Sequence, residues 1–232
     1  MMKVRKLDHV ALYMGNRSAA AEFLTSYLGF HVVDHTDRYT LVGAGGKLGK
    51  LTLFDAPEGT TPSPEVIQRI NVRVADLEAA SSRLPQESNV RWQDGEYLFD
   101  GPEGLPLALV PGADDFTDYD LEGILLRSGE PEAAAREFVK MGFTPGEDVA
   151  TVKAGEYRLR LVSPAPTAQA QGMLFHIGCL VDSAWYHREE AEELGLEIQD
   201  FVEGPNTLAV FVQGPEGVSV EYVEHKATFS LT

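Results

Sequence analysis

The chain has 232 residues, of which 44% are hydrophobic, and its 36 acidic and 19 basic residues give a formal net charge of −17. This length can bury a core in one large domain or two small ones, and so acidic a surface argues against binding to nucleic acid, which requires clustered Lys and Arg. No apolar run reaches the ~18–20 residues of a membrane span, the N-terminus lacks a signal peptide's apolar stretch, and Cys179 is the single cysteine. We therefore expect a cytoplasmic protein without internal disulfides that binds a small molecule.

Four segments along the chain begin alike, each with a short apolar or alternating strand followed by a helical pattern. They are LDHVALYMGN (7–16), RINVRVADLEAA (69–80), LEGILLRSGEPEAA (121–134) and FHIGCLVDSAW (175–185). If His9, Arg69, Gly123 and His176 are taken as equivalent, the spacings are 60, 54 and 53 residues. Such a near-constant period predicts an internal repeat.

The second part of each repeat supports this register. A glycine that can end a helix falls 20, 19 and 19 residues after the equivalent position in the first, third and fourth repeats, at Gly29, Gly142 and Gly195. The second repeat has LPQES (84–88) instead, which predicts a shorter helix.

After each helix the pattern changes to strands, and the tetrapeptide GPEG recurs at 101–104 and 214–217 between two β-rich runs, where it suits a hairpin turn. Each repeat is therefore predicted to form a βαβββ module, and the expected fold class is α+β. We assign modules one and two to residues 1–60 and 61–113, and modules three and four to 114–168 and 169–232. The first two modules form a predicted domain, 1–113, and the last two another, 114–232.

The segments LDHVALYM, FHIGCLVDS and GPEGVSVEYVE resemble the vicinal-oxygen-chelate superfamily, which includes glyoxalase I, bleomycin-resistance proteins and extradiol ring-cleaving dioxygenases. The resemblance implies that the βαβββ modules pair into two cup-shaped mixed sheets. In the commoner family arrangement module one pairs with two and three with four; in some ring-cleaving dioxygenases the outer modules pair with each other.

The resemblance also implies where metal ligands would lie, namely near the start of the first strand and on the last strand of a module. The last-strand positions are Thr52, Ala108, Arg160 and Glu221. Ligand-type residues occur at His9, His176 and Glu221, in modules one and four alone. Pairing module one with four brings them together as two histidines and a carboxylate, the facial triad that binds Fe(II) or Mn(II), and we prefer this pairing for that reason.

An extradiol-dioxygenase-type enzyme acting on a small, aromatic, vicinal-oxygen substrate is the function we favour from this resemblance. Thr52, Phe211 and Tyr13 would line the substrate site. Extradiol enzymes usually carry a tyrosine ten residues before the ligand glutamate, where this chain has Phe211, so Tyr13 and His35 become candidates for proton transfer. A metal-dependent isomerase or lyase and a non-catalytic antibiotic-binding protein stay open as alternatives, as does a homodimer.

Overall fold

The computed structural model describes residues 2–44, 49–112, 119–166 and 172–229. These residues form four consecutive units of one strand, one helix and three further strands, which confirms the predicted βαβββ module. Module one contains β1 (Lys6–Met14), α1 (Arg17–Tyr27), β2 (His31–His35), β3 (Tyr39–Gly43) and β4 (Lys50–Asp55). Module two contains β5 (Ile67–Val74), α2 (Leu77–Ser81), β6 (Arg91–Gln93), β7 (Glu96–Asp100) and β8 (Pro106–Pro111).

The second half of the chain repeats the order. Module three contains β9 (Asp120–Arg127), α3 (Pro131–Lys140), β10 (Thr144–Pro145), β11 (Thr151–Ala154) and β12 (Tyr157–Val162). Module four contains β13 (Leu174–Leu180), α4 (Ala184–Glu193), β14 (Ile198–Glu203), β15 (Thr207–Gln213) and β16 (Ser219–His225). Among the described residues, no helix combines the length and apolarity that crossing a membrane requires.

Local sequence accounts for the helix ends. Asn16, Asp76 and Ser183 each cap a helix N-terminus by accepting a hydrogen bond from the backbone N–H three residues later. The predicted stop glycines, Gly29, Gly142 and Gly195, have φ values of 65°, 97° and 68° and follow α1, α3 and α4 within two residues. Helix α2 has 5 residues, the short helix predicted for module two.

The strands of the described residues form two mixed sheets of eight strands each. The first sheet has the order β14-β15-β16-β13-β1-β4-β3-β2, and the second has the order β10-β11-β12-β9-β5-β8-β7-β6. Module one therefore pairs with module four and module two with module three, as the ligand pattern predicted. The division into domains at 1–113 and 114–232 stays a prediction, because its boundary lies outside the described residues and each sheet contains one module from either side of it.

Strand pairing confirms the register of the repeat. In every module, the residue two positions after the equivalent first-strand position pairs with the predicted last-strand position. These pairs are Ala11 with Thr52, Asn71 with Ala108, Leu125 with Arg160 and Gly178 with Glu221. The four modules therefore place equivalent residues at equivalent points of their sheets.

The two GPEG turns hold the sheets to one another. Glu103, in module two, accepts hydrogen bonds of 2.7 Å from the backbone N–H groups of Gly15 and Asn16 at the start of α1. Glu216, in module four, accepts a hydrogen bond of 2.6 Å from the Ser128 hydroxyl, and the N–H of Gly129 donates to it at 3.0 Å, just before α3. We call these reciprocal contacts the GPEG clasps.

Each clasp carboxylate lies where helix N–H groups and the helix dipole favour negative charge. Glu103 and Glu216 both have φ of 56°, a left-handed conformation that favours glycine and costs other residues about 1 kcal/mol. The hydrogen bonds that each carboxylate accepts are strong enough to offset this cost, since hydrogen bonds to charged groups contribute about 1.5–3 kcal/mol.

The two faces of the first sheet have different roles. On β1, Val10, Leu12 and Met14 are at most 1% exposed and belong to the apolar core. Alternation along a strand directs His9 and Tyr13 to the opposite face. We call this second face, which also carries His176 and Glu221, the ligand face.

Candidate metal centre

His9, His176 and Glu221 come from three neighbouring strands at the centre of the first sheet. β1 and β13 are antiparallel, with His9 opposite Gly178, and β13 and β16 are parallel, with Gly178 opposite Glu221. His176 lies two residues before Gly178 and therefore points to the same face. The pairing of modules one and four thus brings together three side chains that are distant in sequence.

The three ligand atoms converge closely. Nε2 of His9 lies 2.9 Å from Nε2 of His176. Oε2 of Glu221 lies 3.2 Å from the first nitrogen and 3.3 Å from the second, and the three side chains are 12%, 4% and 11% exposed. Their lone pairs therefore meet at one protected point, where a shared proton or a cation is needed to relieve their repulsion.

The spacing of these atoms fits a divalent cation. Adjacent ligands of an octahedral ion with bonds of about 2.1 Å lie about 3.0 Å apart, which is close to the three observed distances. Two imidazoles and one carboxylate on one triangular face form the facial triad, which leaves the opposite positions open. His9, His176 and Glu221 would hold the ion.

The environment of the cluster shifts the pKa values of its members in opposite directions. Burial alone would lower the pKa of His9, but contacts with Asp8 and Glu221 raise it from 6.5 to about 9. Burial would raise the pKa of Glu221, but contacts with His176 and His9 lower it to about 2. Burial lowers the pKa of His176, which keeps this imidazole neutral. In the absence of metal and at neutral pH, His9 is therefore an imidazolium, His176 is a neutral imidazole and Glu221 is an ionised carboxylate.

Gly178 provides the space in which His9 lies. A Cβ atom at this position would be 2.4, 2.6 and 2.9 Å from Cε1, Nδ1 and Nε2 of the His9 ring. No side chain can be added there without displacing the imidazole, since real Cβ contacts are not so short. The glycine of FHIGCL is therefore part of the candidate metal centre although it provides no candidate ligand.

Aromatic side chains surround the histidines on the ligand face. The Phe175 and Phe211 rings lie 4.6 and 5.2 Å from the His176 ring, and Phe54 lies 6.1 Å from it. Tyr13 stacks on Phe175 with a centroid distance of 4.4 Å. We call Tyr13, Phe54, Phe175 and Phe211 the aromatic wall; each is only partly buried.

The structure places the other predicted site residues as follows. Phe211 pairs with Glu221 across β15 and β16, and Tyr13 pairs with Phe54 across β1 and β4. Thr52 pairs with Ala11, which in turn lies opposite His176, and Thr52 is 6% exposed. His35 lies on the edge strand β2, where its Nδ1 is 2.9 Å from Oγ1 of Thr40.

Three residues around His9 were not predicted from the sequence. Asp8 is 7% exposed, and its Oδ2 lies 3.0 Å from Nδ1 of His9. Nζ of Lys50 donates to both oxygens of Asp8 at 3.0 and 3.1 Å, and Nε2 of His225 lies 3.3 Å from Oδ1. The acidic residue directly before His9 was the one available signal; Lys50 and His225 become neighbours only through strand pairing.

The equivalent positions of the second sheet contain no ligand triad. They are occupied by Arg69, Ala108, Gly123 and Arg160, in the register that strand pairing gives. Arg69 forms an ion pair of 2.5 Å with Glu96, and Arg160 lies 3.7 Å from Asp148. The candidate centre thus belongs to the sheet of modules one and four.

Comparison with known proteins agrees with the family resemblance found in the sequence. Residues 6–108 match the family model described as the Glyoxalase/Bleomycin resistance protein/Dioxygenase superfamily, which confirms the resemblance over that stretch, in modules one and two. No curated protein sequence matches the chain.

Solved structures share the fold across nearly the whole chain. Glyoxalase I from Zea mays is 17% identical, with a TM-score of 0.73 over 94% of this chain and 92% of that one. A Bacillus subtilis subsp. subtilis str. 168 protein, for which dioxygenase activity has been suggested, is 18% identical, with a TM-score of 0.72 over 97% of this chain and 86% of that one. The cppA protein from Streptococcus pneumoniae TIGR4 is 14% identical, with a TM-score of 0.64 over 96% of this chain and 98% of that one. At these identities the likeness is one of fold.

Proposed function

We propose that this protein, which contains a domain of the glyoxalase/bleomycin resistance protein/dioxygenase superfamily, is a metal-dependent enzyme of the extradiol-dioxygenase type. Its substrate would be a small aromatic molecule with two vicinal oxygens, and its metal would be Fe(II) or Mn(II).

The convergence of two imidazole nitrogens and one carboxylate oxygen at 2.9–3.3 Å carries this proposal. When bound, a divalent cation would supply Lewis acidity and open positions for the substrate oxygens and O₂. His9 and His176 would bind it as neutral imidazoles, and Glu221 would add one negative charge. Neutral and carboxylate ligands without thiolate suit Fe(II) and Mn(II), and Cys179 is buried in the core.

The aromatic wall is the observation that favours an aromatic substrate. Rings of Phe54, Phe175 and Phe211 flank His176, so a planar molecule with its oxygens directed at the cluster would contact apolar surface on its remaining edges. The same wall limits access of water to the centre, which strengthens electrostatic interactions there. Thr52 and Tyr13 would contribute polar contacts from the neighbouring strands.

Proton transfer is where this chain departs from extradiol enzymes. Phe211 has no hydroxyl, and Tyr13 is the member of the aromatic wall that has one. Burial raises the pKa of Tyr13, so its hydroxyl is protonated at neutral pH and can donate but not accept a proton. We assign Tyr13 this donor role.

The apolar Phe211 also favours a second candidate, a non-catalytic protein of the bleomycin-resistance type that sequesters an aromatic ligand. Such a protein needs the aromatic wall but neither a metal nor a proton donor. A metal-dependent isomerase or lyase would need the cluster but would consume no O₂.

Oxygen uptake after anaerobic loading with Fe(II) or Mn(II) separates these candidates. We expect uptake that depends on an added catechol in the wild type and in the control His31→Ala, which removes an exposed histidine of the same sheet. We expect none in Glu221→Gln. Tight binding of the catechols by metal-free protein, without oxygen uptake after loading, would contradict the enzyme and support sequestration; metal binding without oxygen uptake would instead favour the isomerase or lyase.

A further inference from the structure

We propose that Asp8 is a positioning residue that orients His9 for metal binding and is itself held in place by Lys50 and His225. The inference rests on the proposed metal centre and adds to it a second layer of residues that provide no ligand.

Asp8 contacts His9 directly. Oδ2 of Asp8 lies 3.0 Å from Nδ1 of His9, on the opposite side of the ring from Nε2, which faces His176 and Glu221. A carboxylate can only accept a hydrogen bond, so Nδ1 must carry a proton. In the neutral ring, the lone pair is then on Nε2, where it is presented to a cation, and the ring cannot rotate without breaking the bond to Asp8.

Lys50 and His225 hold Asp8 in place. Both of its oxygens accept hydrogen bonds from Nζ of Lys50, at 3.0 and 3.1 Å, and Nε2 of His225 lies 3.3 Å from Oδ1. Lys50 is next to His9 because β1 and β4 pair, with Val10 opposite Leu51. With an Asp8 side chain only 9% exposed, these partners offset the cost of burying its charge.

His225 is itself held by the residues that follow it. His225 stacks on Phe229 with a centroid distance of 3.7 Å and an interplanar angle of 11°. The backbone N–H of Phe229 also donates to the carbonyl of Lys226, which closes a turn after β16. Residues 225–229 therefore form the outer support of Asp8, and through it of His9.

The two ligand histidines are supported differently. The residue before His176 is Phe175, and Nδ1 of His176 is buried without a hydrogen-bond partner among the described residues. His176 is instead fixed by contacts with Phe175 and Phe211, whose rings lie 4.6 and 5.2 Å away. A carboxylate therefore orients one ligand, and aromatic packing orients the other. This asymmetry predicts that loss of Asp8 affects the cation site through His9 alone.

Mn(II) affinity, measured by calorimetry or by the electron paramagnetic resonance of free Mn(II), tests the inference. We expect Asp8→Ala to weaken binding by about 10- to 100-fold and Asp8→Asn, which keeps an acceptor oxygen, to weaken it less. The control Asp55→Asn removes a negative charge from the same sheet at a residue that contacts Arg17 and no ligand, and should bind within about twofold of the wild type. At saturating Co(II), the visible spectrum of Asp8→Ala should also differ from that of the wild type. A purely structural role of Asp8 would not produce this spectral difference.

Asp8→Ala with wild-type affinity would overturn the role of Asp8 and leave the metal centre standing. If Asp8→Ala does not fold, Asp8→Asn decides: weaker binding supports the role and unchanged binding overturns it. Absence of Mn(II) binding by the wild type would instead overturn the metal centre, and the role of Asp8 with it.

Discussion

Replacing Gly178 by alanine tests whether the space over this residue determines the position of His9. The added methyl would lie 2.4 Å from Cε1 and 2.6 Å from Nδ1 of the His9 ring, whereas ordinary contacts begin at 3.4 Å. The ring must therefore move by about 1 Å, which exceeds the ~0.2 Å by which metal–ligand distances normally vary. We expect the Mn(II) affinity to fall about 100-fold, which corresponds to ~2.7 kcal/mol.

The backbone conformation of Gly178 does not itself require glycine. Gly178 does not have positive φ, so alanine is compatible with the strand, and overpacking should reduce the free energy of unfolding by about 1–3 kcal/mol without preventing folding. Gly172→Ala is a suitable control, since among the described residues the nearest atom to an added Cβ there is 3.9 Å away.

A calorimetric titration with Mn(II), combined with a double-mutant cycle, is the assay for Gly178. In a His9→Ala background, Gly178→Ala should cause no further loss of affinity, because the ring that it displaces is absent. Wild-type affinity in Gly178→Ala, or an equal loss in the two backgrounds, would refute the steric argument.

Three further predictions concern the proton, the wall and the clasps. Because the pKa of His9 is about 9 without metal, Mn(II) binding at pH 7.5 should release about one proton, and the Mn(II) affinity should rise about tenfold per pH unit up to pH ~9. Calorimetric titrations in buffers of different ionisation enthalpy measure the number of protons released. Binding heats that are identical in all buffers would contradict the prediction. Phe54→Ala should weaken the binding of an aromatic ligand about tenfold in a fluorescence titration, while the Mn(II) affinity stays within about twofold of the wild type. Equal losses of ligand affinity and Mn(II) affinity would contradict separate roles for the aromatic wall and the cluster. Glu103→Gln and Glu216→Gln should each lower the free energy of unfolding, measured by urea denaturation, by about 1 kcal/mol. The two losses should add because the two clasps share no residue. A double variant with the stability of the wild type would show that the clasps do not contribute.

The repeat register and the triad could be predicted because they depend on spacing. A near-constant period places equivalent residues at equivalent strand positions, and the pairs Ala11–Thr52 and Gly178–Glu221 follow from it. The module pairing could be inferred only because His9 and His176 needed a common site. The helix ends were predictable from Gly29 and its counterparts, since a left-handed residue at this point has a strong preference for glycine.

The surroundings of the triad could not be predicted because they depend on which side chains share a face across different strands. Phe54 and Phe175 are apolar residues in apolar strands, and nothing in their sequence distinguishes the ligand face from the core face. Lys50 reaches Asp8 from a strand 42 residues later, and its charge in the sequence is indistinguishable from that of a surface lysine. The role of Gly178 is visible only once the His9 ring lies above it.

Anomalous diffraction at the manganese edge, from crystals soaked in Mn(II), tests the central claim most directly. We predict a single strong peak on the ligand face, about 2.0–2.3 Å from Nε2 of His9, Nε2 of His176 and a carboxylate oxygen of Glu221. A peak bound by other residues, or none at these three atoms while the soaked crystal shows Mn(II) elsewhere, would contradict the assignment of the metal centre.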